Sequence, residues 1–185
     1  MWKLTSKHIF TAVQKGVPNN IQSGVFIWML NAHKRPPHFV MCIEGKVTGI
    51  SVKGSTIDKD VSVYLNLIES KNIPTLFIEL KNLNYNQESI EVLKDHIELY
   101  PQVKIGGPTC LDPINSFIHH TTDIDVSGVE KIFDLLPLLE ANHISSYSSV
   151  LLPVFDNEFN VDVYSKEDIV NGILKVQKKY AVIGE

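Results

Sequence analysis

Cys110 sits where a thiol could act as a nucleophile. It follows two glycines and a proline in the run Val103-Lys104-Ile105-Gly106-Gly107-Pro108-Thr109-Cys110-Leu111-Asp112-Pro113. Asp112 and Pro113 read as a helix start, because proline is tolerated in a first turn where its missing N–H would have no partner anyway. Thr109 or Asp112 is placed to cap that turn. A thiol at a helix N-terminus faces unpaired backbone N–H groups and the positive end of the helix dipole. Both favour the thiolate, so a lowered pKa is the expectation. The plainer reading is a small buried hydrophobe at a tight turn, since free cysteine is among the most buried residue types.

A nucleophilic thiol needs a base. Among the seven histidines, His38 stands apart: it opens the apolar run His38-Phe39-Val40-Met41-Cys42-Ile43, directly after Pro36-Pro37. A strand end at the rim of a core can hold a base rigidly and still expose it to substrate. The competing reading is a strand-start histidine facing water. The second ring nitrogen would need an orienting acceptor. Ser51, on the next strand, is one candidate. Glu79, a carboxylate in the otherwise apolar run Ile73–Leu80, is another, and its plainer reading is a charge at an exposed strand end. Gly107, Thr109 and Asn115 flank the thiol and are the candidates for an oxyanion or substrate-binding role beside the Cys110 N–H. His119 and His120 end the helix that starts near Cys110, so they point away from the thiol.

Other chemistries fit less well. The glycines lack the lysine and spacing of a P-loop and do not form a GxGxxG fingerprint. A cysteine-phosphatase loop would place arginine six residues after the cysteine, and that position is Ser116. No histidine and cysteine cluster has zinc-like spacing. No cofactor is expected.

A histidine on a strand, an antiparallel partner, then a cysteine at the start of a later helix resembles the circularly permuted branch of the papain-like cysteine hydrolases. The residues carrying the resemblance are Pro37-His38-Phe39-Val40 with the following hairpin, and Thr109-Cys110-Leu111-Asp112-Pro113-Ile114, so it spans residues 36–118. It implies cleavage of an amide, peptide or thioester, or acyl transfer, through a Cys110–His38 pair. Thr109 stands where some branches carry asparagine, and the third polar residue has no clear counterpart. The alternative function is a non-catalytic binding or interaction module of the same fold.

The elements that must position these residues follow from periodicity. His38–Ile43 and Val47–Lys53, around Glu44-Gly45-Lys46, form the clearest hairpin. Residues 4–15 carry a loose helical spacing. Gly24–Leu30 is a buried strand or part of a core helix. A helix is expected from Asp58 or Asp60 to Lys71, a strand over Ile73–Leu80, a helix over Asn86–Tyr100 and a short strand over Val103–Ile105. Helices follow over Asp112–Ile118 and Ser127–Asn142, with Pro137 kinking or splitting the latter. Ile144–Phe155 is ambiguous. A strand over Phe159–Tyr164 leads to a last helix capped by Ser165 and Asp168. The order implies an α+β fold, a small mainly antiparallel sheet with flanking helices, in a single domain over residues 1–185.

With 17 basic and 21 acidic residues the net charge is −4. A nucleic-acid partner is therefore not expected, since such binders usually show a basic excess. No apolar run approaches a membrane span, and the N-terminus has no signal-peptide pattern. Cys42 and Cys110, far apart and without a CxxC, fit free thiols in a cytoplasmic protein. The expected partner is a small-molecule or peptide substrate.

Overall fold

The computed structural model describes residues 7–181. In chain order its elements are β1 (Lys7–Phe10), β2 (Val13–Lys15), β3 (Val25–Leu30), β4 (His38–Ile43), β5 (Lys46–Ser51), β6 (Gly54–Asp60), α1 (Val61–Ser70), β7 (Thr75–Leu80), α2 (Gln87–Leu99), α3 (Asp112–Thr121), α4 (Ile132–Glu140), β8 (Ile144–Val150), β9 (Phe159–Asp162) and α5 (Lys166–Ala181). Seven strands form one sheet in the order β2-β8-β7-β3-β4-β5-β6, while β1 and β9 pair separately. Only β2 and β8 run parallel. The fold is α+β with a mostly antiparallel mixed sheet.

β3 and β4 are apolar at nearly every position because both faces of the central sheet are covered. Ile27 and Met29 of β3 and Phe39, Met41 and Ile43 of β4 join a core with Leu93 and Ile97 of α2, Ile114, Phe117 and Ile118 of α3, and Leu135, Leu136 and Leu139 of α4. The alternate residues, Phe26 and Trp28 of β3 and Val40 and Cys42 of β4, pack on the other face against Val61 and Ile68 of α1. Strand side chains alternate between faces, so one pair of strands feeds two cores. Ile114, Phe117, Ile118 and Thr121 of α3 are all buried. Their spacing is one helical stripe, and each large apolar side chain contributes about 2 kcal/mol on leaving water.

The feature that shapes the site is a parting of β4 and β5. Their ladder covers only Met41↔Thr48, Cys42↔Val47 and Ile43↔Lys46. His38, Phe39 and Val40 pair with β3 alone. β5 carries a register shift against β6 between Val47 and Gly49, and an irregularity of that kind bends a strand. Gly49 lies so close to β4 that a Cβ there would stand 3.0 Å from Val40 Cγ1. Beyond that near contact the strands separate, and the segment before α3 enters the gap, where the Val103 N–H donates to the Ser51 carbonyl at 3.1 Å.

Several expectations change. The helix expected over 4–15 is two short strands from residue 7 onward, and Leu4 lies outside the described residues. Ala12 at φ 55 breaks any helix there, and the pairing partners of these strands are far along the chain, at 147–149 and 159–162. β6 is an edge strand with a mostly exposed pattern, so apolar periodicity does not mark it. Val103–Ile105 is turn rather than strand, closed by Gly107 N–H donating to the Lys104 carbonyl at 3.2 Å. α4 begins at Ile132, because Gly128 at φ 81 and a turn from Val126 to Val129 occupy the residues before it. The ambiguous stretch after Asn142 contains β8, antiparallel to β7.

Candidate functional site

The gap between β4 and β5 continues into a cleft of about 800 Å³. His38, Ser51, Thr109 and Cys110 all line it. Gly107 and Asn115 are not among its lining residues, and neither is Glu79.

Cys110 is set by the turn before α3. Thr109 donates its N–H and its hydroxyl to the Asp112 carboxylate, the latter at 2.6 Å. Leu111 N–H in turn donates to Thr109 Oγ1 at 3.3 Å. Leu111 is the N-cap and receives no side-chain cap, so Cys110 lies one residue outside the helix. The chain on the other side of Cys110 is tied to β5 through the Ser51 carbonyl. Ser51 Oγ donates to the Gly54 carbonyl at 3.0 Å and accepts the Lys53 N–H at 3.1 Å. Ser51 therefore holds the β5–β6 turn against the cysteine segment and is already occupied as a hydrogen-bond acceptor.

The backbone N–H groups of Phe39 and of Cys110 itself lie near the Cys110 sulfur and favour its thiolate. The β4–β5 ladder ends at Met41↔Thr48, so the Phe39 N–H is not taken up by β5. Burial pushes the thiol up to about 11; the two N–H donors act against burial but do not overcome it, and the Asp112 carboxylate adds to the rise. The expectation of a lowered pKa is thus not met, since desolvation outweighs a helix start that the thiol only approaches.

His38 is the first residue of β4 and follows the cis Arg35–Pro36 bond and Pro37. Burial lowers its imidazole to about 4, with no counter-charge opposing the shift. The ring is therefore neutral at physiological pH. Strand alternation starts His38 on the Val40 and Cys42 face, whereas Cys110 packs against the Phe39 and Met41 core. Among the described residues no hydrogen bond joins the imidazole to the sulfur. The sulfur nevertheless lies near the peptide N–H that immediately follows His38, and both residues line the same cleft.

Glu79 cannot orient His38. Leu30 faces His38 on one side and Thr75 on the other, while Phe26 faces Cys42 and Glu79. Glu79 is thus four strand positions from the His38 end, roughly 14 Å along the sheet. Its carboxylate instead takes hydrogen bonds from Asn20 and Ser146. Burial opposes its ionisation, but bonds from Ser146, Ser145 and Asn20 together hold its pKa below the usual value. Asn115 donates to the Val129 carbonyl at 3.0 Å and ties α3 to the loop before α4. Gly107 belongs to the turn that carries the chain toward Cys110.

No family model, curated protein or solved structure matches the chain.

One lining residue was not singled out by sequence. Tyr164 is buried, receives the Ile132 N–H at 3.3 Å, and lies close enough to Cys110 for their charges to interact. In sequence it reads as the hydrophobic staple of α5, and nothing local marks it as part of the cleft. Part of the remaining wall is α5 against the 31–37 loop, and α1 contributes Tyr64, Leu67 and Ile68. Arg35 donates to the Val163 carbonyl at 3.2 Å and pairs with Asp162 and Asp168.

Proposed function

We propose that the cleft is a cysteine-dependent acyl-transfer or hydrolytic site, with Cys110 as nucleophile and His38 as base, acting on an amide, peptide or thioester. The observation that carries this reading is that Cys110 and His38 line one cleft, with the Phe39 N–H, which follows His38 in the chain, near the sulfur. A non-catalytic binding module is the second reading, favoured by the raised thiol pKa and by the lack, among the described residues, of an acceptor that orients His38.

In the catalytic reading, the resting pair is a neutral thiol and a neutral imidazole. As the sulfur attacks the acyl carbon, its proton passes to His38. The bond to the leaving amine, alcohol or thiol then breaks, and the imidazolium returns the proton to that group. Water, deprotonated by His38, cleaves the thioester and restores the thiol. The Phe39 and Cys110 N–H groups near the sulfur would serve as the donors to the acyl oxygen.

The test is p-nitrophenyl hexanoate with intact-mass detection. The expected result is an acyl adduct on Cys110, absent in Cys110→Ala and formed at least tenfold more slowly in His38→Gln, a loss in the usual range for a general base. No adduct on Cys110, or equal rates with and without His38, would overturn the reading. Alkylation by iodoacetamide should be slow at neutral pH and rise toward about 11 for Cys110 and about 12 for Cys42. A Cys110 plateau reached near neutrality would contradict the burial assigned to its thiol.

A further inference from the structure

The charge on the cleft wall does not follow the charge of the protein. The chain carries an excess of acidic residues, with a net charge of −4. The lining of the cleft reverses that sign: Lys34, Arg35, Lys53, Lys175 and Lys179 against Glu130. Glu130 is engaged by Lys166, and Arg35 by Asp162 and Asp168. Lys34, Lys175 and Lys179 make no ion pair among the described residues and are exposed. They are also grouped. Gly172 of α5 packs on the Pro36 ring so closely that a Cβ would stand 2.9 Å from Pro36 Cδ. Lys175 and Lys179 lie three and seven residues further on, along the same helix face, beside the loop that carries Lys34. Elsewhere the wall is apolar: Leu30, Val40, Ile50, Val52, Ile68 and Ile73.

We infer that the cleft takes an amphipathic anion: an acyl compound whose apolar chain lies along this wall and whose far end carries a carboxylate or phosphate held by Lys34, Lys175 and Lys179. A neutral apolar ligand would leave these three ammonium groups without a partner. A highly polar one would forgo the apolar wall, whose burial supplies most of the affinity in such pockets. Cationic groups at a rim also raise the encounter rate of an anionic ligand, an effect that salt screens.

This inference rests on the cleft being a ligand site, and its identification of the reacting end rests on Cys110. The experiment compares mono-p-nitrophenyl esters of adipic, suberic and sebacic acids with the p-nitrophenyl esters of hexanoic, octanoic and decanoic acids, using the full chain. The carboxylate-bearing ester of at least one length should show a kcat/KM roughly tenfold above its neutral counterpart at low ionic strength, as a single favourable charge contact would give. High salt and the Lys175→Gln/Lys179→Gln double variant should each bring that ratio toward one. Turnover without preference for the anionic esters, or a preference unmoved by the double variant, overturns the inference and leaves the Cys110 reading standing. If no ester acylates Cys110, calorimetric titration with decanoate and decanol decides separately. Decanoate binding that the double variant abolishes supports the anion site while the Cys110 chemistry falls. No preference for decanoate over decanol overturns the anion site as well.

Discussion

At the scale of single residues, burial decides the protonation of both partners. It pushes the Cys110 thiol up to about 11 and the His38 imidazole down to about 4. The His38 shift has a consequence for stability. Its folded-state value lies below the ordinary 6.5. Between those two values the unfolded chain binds a proton that the folded protein refuses, so stability present above pH 6.5 is lost as pH falls toward 4. The loss should reach roughly 3 kcal/mol at the lower end of that window. His8 and His96 are also lowered by burial, so the informative quantity is a difference. Urea denaturation across pH 7 to 4 should show a shallower decline for His38→Gln than for the unsubstituted chain. Parallel declines would mean that His38 protonates freely in the folded state. The local settings of Cys110 and His38 were legible in sequence, because each sits at a marked boundary between an apolar run and a turn. The positions of Glu79 and Asn115 relative to them were not, since those depend on strand register and on packing between α3 and the loop before α4.

At the scale of elements, the cleft exists because one hairpin comes apart and another segment fills the space. The strands β4 and β5 were readable from alternation and the Glu44-Gly45-Lys46 turn. Their separation beyond Met41 was not, because it depends on the Val47–Gly49 irregularity and on β6, an exposed strand without an apolar pattern. The opposite wall depends on α5 meeting the 31–37 loop at Gly172. In an exposed helix interior, glycine to alanine stabilises by up to about 1 kcal/mol. Here the added Cβ would meet the rigid Pro36 ring at 2.9 Å. Gly172→Ala should therefore destabilise the protein by about 1–2 kcal/mol, as overpacking does, and should alter access to Cys110. Thermal denaturation with Cys110 alkylation rates checks both. A stabilised variant with unchanged alkylation would show that α5 does not define the cleft wall.

At the scale of the whole molecule, the sheet separates two apolar cores, and the smaller one carries an unpaid polar group. Trp28 is fully buried against Phe77 and Tyr64, and its indole N–H has no partner among the described residues. An unsatisfied buried donor costs about 1–3 kcal/mol. Trp28→Phe removes that donor along with some apolar area, so its net cost should stay within about 1 kcal/mol. Phe77→Ala beside it should cost about 3–5 kcal/mol by leaving a cavity. Equal large losses in urea denaturation would mean that the indole N–H is satisfied in solution. By itself the sequence determined the α+β class, the hairpin, most helices and the two residues whose types suit acyl chemistry. Those features follow from local periodicity, turn residues and caps, which act over a few neighbours. The tertiary structure alone decided that β1 and β2 are strands, that Glu79 lies at the far end of the sheet from His38, that Tyr164 reaches the cleft, and that lysines from α5 and the 31–37 loop gather at its rim. Each of these depends on residues distant in the chain, brought together by strand register and by helices packed over the sheet.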